Sequence, residues 1–385
     1  MVSTFTFPLR IRFGDGAIAE LPAELSTLRV RRPLVVTDPG IVACGLLDRV
    51  LDGLARTFPG RSSVAVFADV RPNPLESDVL NALETYREND CDGLIGLGGG
   101  SPIDAAKATR LLVAYPGPLA DFDDLEDSSA RIPGDLPPMI AIPTTSGTGS
   151  EASCAAILQL TQSGRKTAIR SPSLLPSVAL CDPELPLSLP PILTAGIGMN
   201  ALTRCVESYL STTYDPICDG IALEGLRQVA RGLEPSVQDG ASHDARRALM
   251  MGSLLGGISS RKGLGMLHSL SLALNSEGCA HHGTLSAILL PHALRFNFET
   301  AHARLTHLAS QLGLGRSGDG PGHLITLSEI LLARLPLPRR LGQVEGLDRE
   351  RIAEYAHLAL LDQSHRTNPR SCDESSLIHL LEAAW

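Results

Sequence analysis

The first half of the chain is broken into short apolar runs, most of them closed by proline, glycine or a hydroxyl residue. Pro33-Leu-Val-Val-Thr-Asp38, Ser63 to Ala68, Gly93 to Leu97 and Met139-Ile-Ala-Ile-Pro-Thr144 are of this kind. Brief runs without a polar face predict strands covered on both sides, as in a parallel sheet. Val79 to Arg87 has helical spacing, and Phe5 to Phe13 alternates apolar with polar residues around Pro8, which predicts an edge hairpin. Near Asp182-Pro183 the texture changes, and beyond Leu185-Pro-Leu-Ser-Leu-Pro-Pro191 the β-branched runs stop. Leu193–Leu210, Ile221–Leu233, Asp244–Gly257 and Ile325–Leu335 repeat their apolar residues at the period of a helix. The pattern predicts a parallel-sheet α/β domain over 1–184 followed by an all-helical domain over 185–385. The polar, glycine-rich stretch Gly313 to Gly322 is expected to be a loop.

The run Gly93 to Leu97 leads into Gly98-Gly-Gly-Ser-Pro-Ile-Asp-Ala-Ala-Lys107. Pro102 falls where a helix begins, a position at which its missing N–H is not needed. Glycines let a backbone approach a ligand closely, and the helix N-terminus behind them attracts phosphate oxygens. The stretch therefore reads either as a pyrophosphate cradle or as an ordinary strand-to-helix turn. Gly96 and Gly98 open a Gly-x-Gly-x-x-Gly pattern, but Ser101 stands at its close. Asp121 and Asp123 do not end a β-branched run as the usual ribose-binding acid does. Asp38 does end such a run. Its carboxylate is suited to a ribose 2′-hydroxyl and repels a 2′-phosphate, although an acid there also caps helices. A second loop rich in glycine and hydroxyl groups, Thr145-Ser-Gly-Thr-Gly-Ser-Glu151, follows the Met139 run.

Composition narrows the classes. A net charge of −9 disfavours nucleic acid, which requires a basic face, while leaving room for small anions. No uninterrupted apolar run approaches the ~18 residues of a membrane span, and the first residues lack the pattern of a secretory signal. The eight cysteines contain no C-x-x-C pair, as expected of free thiols in a reducing cytoplasm.

Taken together, these motifs resemble the iron-containing (group III) alcohol dehydrogenase family. The resemblance rests on Gly98–Lys107, Pro143-Thr-Thr-Ser-Gly-Thr-Gly-Ser-Glu151, Leu189-Pro-Pro-Ile-Leu-Thr194 and Gly198-Met-Asn-Ala-Leu-Thr203. His282-Gly283 with Ile288-Leu-Leu-Pro-His292, and the tail Thr367-Asn-Pro-Arg370, complete it. It implies a Rossmann-like nucleotide-binding domain, a helical catalytic domain of the dehydroquinate synthase-like superfamily, and a homodimer. By position it implies that Asp38 and Asn73 serve the adenosine end of NAD. Gly98, Gly99, Gly100, Ser101 and Asp104 would surround the pyrophosphate. Thr144, Thr145 and Thr148 would lie along the nicotinamide half, with Lys166 near its ribose. NAD is favoured over NADP by Asp38.

The catalytic half departs from the family pattern. Relatives usually hold a divalent metal with one Asp and three His; at the first two positions this chain has Asn200 and Arg204, and it keeps His268 and His282. A further family histidine, assigned to proton relay, is Leu272 here. Asn removes the one negative ligand, and guanidinium offers no lone pair and stays charged. No metal is therefore expected. Hydride delivery still needs a positive group or donor at the carbonyl oxygen. Arg204 would supply that charge or clamp a carboxylate on the substrate, with Asn200 beside it and His268 or His282 handling the proton. Maleylacetate reductases look similar, work without a metal and carry Asn at the place of Asn200, though they usually keep His where Arg204 stands. The expected activity is a metal-independent NAD(P)-dependent alcohol dehydrogenase or carbonyl reductase for a small anionic substrate. A metal enzyme with an altered site and a catalytically silent dinucleotide binder remain the alternatives.

Overall fold

The computed structural model describes residues 9–55, 64–123, 132, 134–161, 164, 166–276, 278, 280–314 and 320–385. These form two compact units, one of residues up to Thr145 together with Ser150–Ser188, the other of Ser146–Gly149 with Leu189–Trp385.

The first unit contains strands β1 (Arg10–Phe13), β2 (Pro33–Val36), β3 (Ala65–Phe67), β4 (Gly93–Gly98), β5 (Met139–Pro143), β6 (Ala155–Gln159), β7 (Lys166–Arg170) and β8 (Val178–Cys181). Its helices are α1 (Leu21–Thr27), α2 (Pro39–Ala43), α3 (Leu46–Ala55), α4 (Glu76–Glu88) and α5 (Gly100–Ala114). Six strands make one wholly parallel sheet in the order β1-β8-β5-β4-β2-β3. Successive side chains of a strand point to opposite faces. Leu34 and Val36 accordingly enter one apolar core with Leu94 and Ala141, while Val35 enters the other with Ile95 and Ile142. Burial of both faces is why these strands read as unbroken apolar runs. The order reverses between β2 and β4, so the carboxyl ends of those two strands flank the topological switch point at which ligands bind in such sheets.

Two local expectations change. Arg10–Phe13 is a parallel edge strand whose partner is Val178–Cys181, far along the chain. Alternation reports an exposed face but not the partner; the start of the predicted hairpin, residues 5–8, lies outside the described residues. Of the stretch Gly313 to Gly322, residues 315–319 lie outside the described residues, while Gly320 to Gly322 already form a helical turn. The antiparallel pair β6–β7 was not anticipated.

The second unit is helical among its described residues: α6 (Pro191–Leu210), α7 (Pro216–Gln238), α8 (His243–Ser259), α9 (Met266–Leu274), α10 (His282–Asn297), α11 (His302–Gln311), α12 (Gly320–Arg334), α13 (Ile352–Leu361) and α14 (Glu374–Ala384). Helix α6 is its axis, buried at every position from Thr194 to Leu210. A helix buried all round has no solvent face and must be enclosed by others, with its polar side chains met inside. Buried Arg246 fixes its start, donating to Thr194 Oγ1 (2.8 Å), Leu189 O (3.0 Å) and Gly240 O (2.9 Å). No helix among the described residues is long and apolar enough to cross a membrane.

Candidate active site

In the first unit, β4 ends at Gly98 with φ +144°, a conformation that L side chains rarely adopt, and a Cβ there would lie 2.7 Å from Pro102 Cγ. Gly99 precedes α5 without any side-chain cap, which leaves first-turn N–H groups directed at the loop. Thr144 N donates to Gly98 O (2.9 Å), and the Thr145 methyl lies 3.4 Å from a Cβ placed on Gly99. Thr148 is half-buried and falls in the segment that groups with the helical unit.

Asp38 does two things. Its Oδ1 accepts from Ile41 N (3.1 Å), capping α2, while Oδ2 lies 3.1 Å from a Cβ placed on Gly98. Burial holds its carboxyl above the usual range, against the lowering effect of the Ile41 and Gly40 N–H groups. Thr37 Oγ1 donates to Leu97 O (2.8 Å) and ties the ends of β2 and β4 together. Asn73 sits in the left-handed region at φ +63°. Its N–H donates to Ser101 Oγ (3.3 Å) and its Oδ1 accepts from Lys166 Nζ (2.5 Å). Burial brings the Lys166 ammonium down to about 8. The structure thus joins Asn73, Ser101 and Lys166, residues far apart in sequence, beside the glycine loop.

Asp104 faces inward. It accepts from Ser150 Oγ and from Ile157 N (3.1 Å) and lies 3.7 Å from Lys107 Nζ, which makes it a brace behind the loop. Lys107 has a structural part that the sequence reading missed. Fully buried, it donates to Ser150 O (2.7 Å), Ser150 Oγ (3.0 Å), Ser153 O (2.9 Å) and Ala155 O (2.8 Å). A lysine one turn after Asp104, set between alanines of α5, is the signal that was available.

In the helical unit, Asn200 and Arg204 stand one turn apart on α6, 2% and 7% exposed. Arg204 Nη1 donates to Ser260 Oγ (3.3 Å), which itself donates to Gly257 O (2.8 Å). His268 on α9 and His282 at the start of α10 meet edge to face, ring centroids 5.2 Å apart at 76°. Ser271 Oγ donates to His268 O (3.0 Å) and lies 3.3 Å from His282 Nε2. Helix α10 abuts α6 backbone to backbone: a Cβ on Gly283 would fall 1.9 Å from Gly196 O and 3.2 Å from Asn200 Cβ. Leu272 is buried on α9. Glu207, one turn beyond Arg204, was also missed. Its carboxyl is pushed up to about 8 by burial, against the hydrogen bonds from the N–H groups of His268 and Leu267.

The donor set does not fit a divalent cation. Asn200 brings a neutral amide, Arg204 a fixed positive charge without a lone pair, and two imidazoles remain. Among the described residues no group of three His, Cys, Asp or Glu converges.

A parallel sheet with a glycine loop at its switch point is the arrangement of a nucleotide-binding domain, and together with the relatives named below it makes this chain an NAD(P)-dependent oxidoreductase acting on CH–OH groups. The chain belongs to the iron-containing alcohol dehydrogenase family: the model described as "Iron-containing alcohol dehydrogenase" matches residues 8–183, and "Fe-containing alcohol dehydrogenase family, C-terminal" matches 194–385. It is 39% identical to a 4-hydroxybutyrate dehydrogenase of Cupriavidus necator, over 97% of each chain. A crystal structure of 1,3-propanediol oxidoreductase superposes with a TM-score of 0.92 at 30% identity, over 98% of both chains. Sulfoacetaldehyde reductase from Bifidobacterium kashiwanohense, solved with NAD+, superposes with a TM-score of 0.88 at 27% identity, over 100% of this chain and 99% of that one.

Proposed function

We propose that this chain interconverts a small ω-hydroxy acid and its aldehyde with NAD, without a divalent metal. The observation that carries the reading is Arg204: a buried, permanent cation where the family places a metal ligand, one turn from Asn200. The names of two relatives point the same way, since 4-hydroxybutyrate carries a carboxylate and sulfoacetaldehyde a sulfonate. Asp38, Asn73, the Gly98–Ser101 loop, Thr144, Thr145, Thr148 and Lys166 make up the cofactor side, with Asp104 as their brace. Asp38 disfavours a 2′-phosphate. The nicotinamide supplies the hydride when the aldehyde is reduced.

On the substrate side, the Arg204 fork holds the anionic end or the carbonyl oxygen, and Ser260 fixes its orientation. Asn200 offers an amide next to it. An imidazole of the His268–His282 pair gives a proton to the oxygen during reduction and takes it back during oxidation. The same reading takes the chain as a homodimer, which sedimentation measures.

The decisive experiment compares 4-hydroxybutyrate with neutral 1,3-propanediol on chelator-treated enzyme, parent and Arg204→Ala. The expected result is undiminished turnover after chelation and a preference for the carboxylate. A charge-assisted hydrogen bond contributes about 1.5–3 kcal/mol, so Arg204→Ala should cost about 10- to 100-fold in kcat/KM. A rise in KM identifies a clamp on the anion; a fall in kcat identifies charge stabilisation at the carbonyl oxygen. Loss of activity on chelation, restored by iron or zinc, overturns the proposal. Leu272 at the relay position favours one other reading, a silent dinucleotide binder, which would bind NADH and turn over no member of an aldehyde panel.

A further inference from the structure

Helix α9, which carries His268, begins at Met266 after Gly265, and Gly265 offers no side-chain cap. Its first three N–H groups are nevertheless all held, by side chains from elsewhere in the helical unit. Met266 N donates to Asn368 Oδ1 (3.4 Å), Leu267 N to Glu207 Oε1 (2.9 Å) and His268 N to the same Oε1 (3.4 Å). Asn368 is itself fixed, its Nδ2 donating to Asn297 Oδ1 (2.8 Å) on α10 and to Arg370 O (2.7 Å). Gly265 leaves the room this requires: a Cβ there would come within 2.5 Å of Glu207 Oε1 and 2.8 Å of Asn368 Oδ1. Glu207, Gly265, Asn297 and Asn368 line one small cavity of about 10 Å³. The side chains thus form a clasp built from α6, α10 and the Thr367–Arg370 tail.

We propose that Glu207 is a positioning residue for His268. By supplying from α6 the acceptor that a cap would supply, it fixes the rotation of the first turn of α9. It thereby sets the angle at which the His268 imidazole meets His282. Glu207 lies one turn beyond Arg204 on the same helix, so the clasp also holds α9 in register with the segment bearing Asn200 and Arg204. Burial favours the neutral carboxyl, whose shape and acceptor oxygen an amide reproduces.

Only the kinetic arm of the test rests on the function proposed above; the spectroscopic arm does not depend on any substrate. Glu207→Gln keeps an acceptor oxygen at the same reach, whereas Glu207→Asp withdraws it by one methylene, ~1.5 Å. In the full chain, the imidazole 15N shifts of His268, assigned by their loss in His268→Gln, are compared together with kcat, KM and NADH affinity. The glutamine variant should keep the parent shifts and a kcat within about twofold. The aspartate variant should move the shifts and lower kcat by about tenfold or more, with NADH affinity unchanged. Unmoved shifts and kcat in Glu207→Asp, or equal damage in Glu207→Gln, overturn the proposal. If Glu207→Asp does not fold, Glu207→Gln decides alone: retained shifts support the role and lost ones overturn it. A chelator-sensitive activity would end the metal-free reading yet leave the spectroscopic result standing.

Discussion

Gly283→Ala is the perturbation that most directly tests how the helical unit is held. The added methyl would arrive 1.9 Å from Gly196 O and 2.5 Å from Gly196 C, where ordinary contact begins near 3.4 Å. Neither atom belongs to a side chain that can rotate away. The start of α10 must therefore retreat from α6 by about 1.5 Å or the helix must tilt. Overpacking of this sort costs about 1–3 kcal/mol, occasionally more. For a domain of about 150–250 residues each kcal/mol lowers the midpoint by about 2–4 °C, so a drop of ~2–12 °C is expected. The displaced residue next to Gly283 is His282, and a misplacement of about 1 Å near the chemistry can cost ~100-fold in rate. The matched control is Gly220→Ala on α7 in the same unit, exposed and with nothing within 4 Å of its Cβ position. That change replaces a helical glycine and should stabilise by about 0.5–1 kcal/mol. Circular-dichroism melts, kcat and NADH titration on the three proteins give the answer. If Gly283→Ala melts with the parent and turns over as fast, the backbone contact between α6 and α10 does not position His282.

Further outcomes are expected on the cofactor side and at the altered metal position. Asp38→Asn keeps the oxygen that caps α2 while removing the charge, since Asn caps as well as Asp. A charge pair at about 4 Å contributes about 1–4 kcal/mol in surface surroundings, so NADP affinity should gain about tenfold or more on NAD with little change in melting temperature. Unaltered preference would leave Asp38 as a cap alone. The Lys166 ammonium, brought down to about 8 by burial, loses its proton as pH rises through that value. NADH affinity should therefore be flat below about pH 8 and fall above it, and a titration of Lys166→Met should lack that step. Asn200→Asp with Arg204→His restores one carboxylate and three imidazoles, a set that suits a divalent ion. Elemental analysis of the purified double variant should find bound metal; a metal-free protein would show that more than these two side chains separates it from its relatives.

Much of this molecule is legible in the order of its residues. The runs at Pro33, Gly93 and Met139 are too short for helices and are closed by glycine, proline or threonine, which marks them as strands covered on both faces, and they are neighbouring strands of the parallel sheet. The substitution of Asn200 and Arg204 for metal ligands is likewise a matter of residue identity. A guanidinium has no lone pair in any fold.

Tertiary structure decided which distant groups meet. Lys166 finds Asn73 Oδ1, Lys107 gathers the carbonyls of Ser150, Ser153 and Ala155, and Glu207 reaches the first turn of α9 across 60 and 61 residues. None of these pairings has a period or a fixed spacing, because each is set by which helices and strands pack together. Arg10–Phe13 makes the same point: its alternation suggests one buried face, yet as an edge strand it is exposed or half-buried throughout, and its partner, β8, is found only when the chain folds back to bring Val178–Cys181 beside it. Local pattern follows from the short-range geometry of the backbone. Buried polar partnerships follow from the demand that every desolvated donor and acceptor be met, wherever in the chain its partner lies.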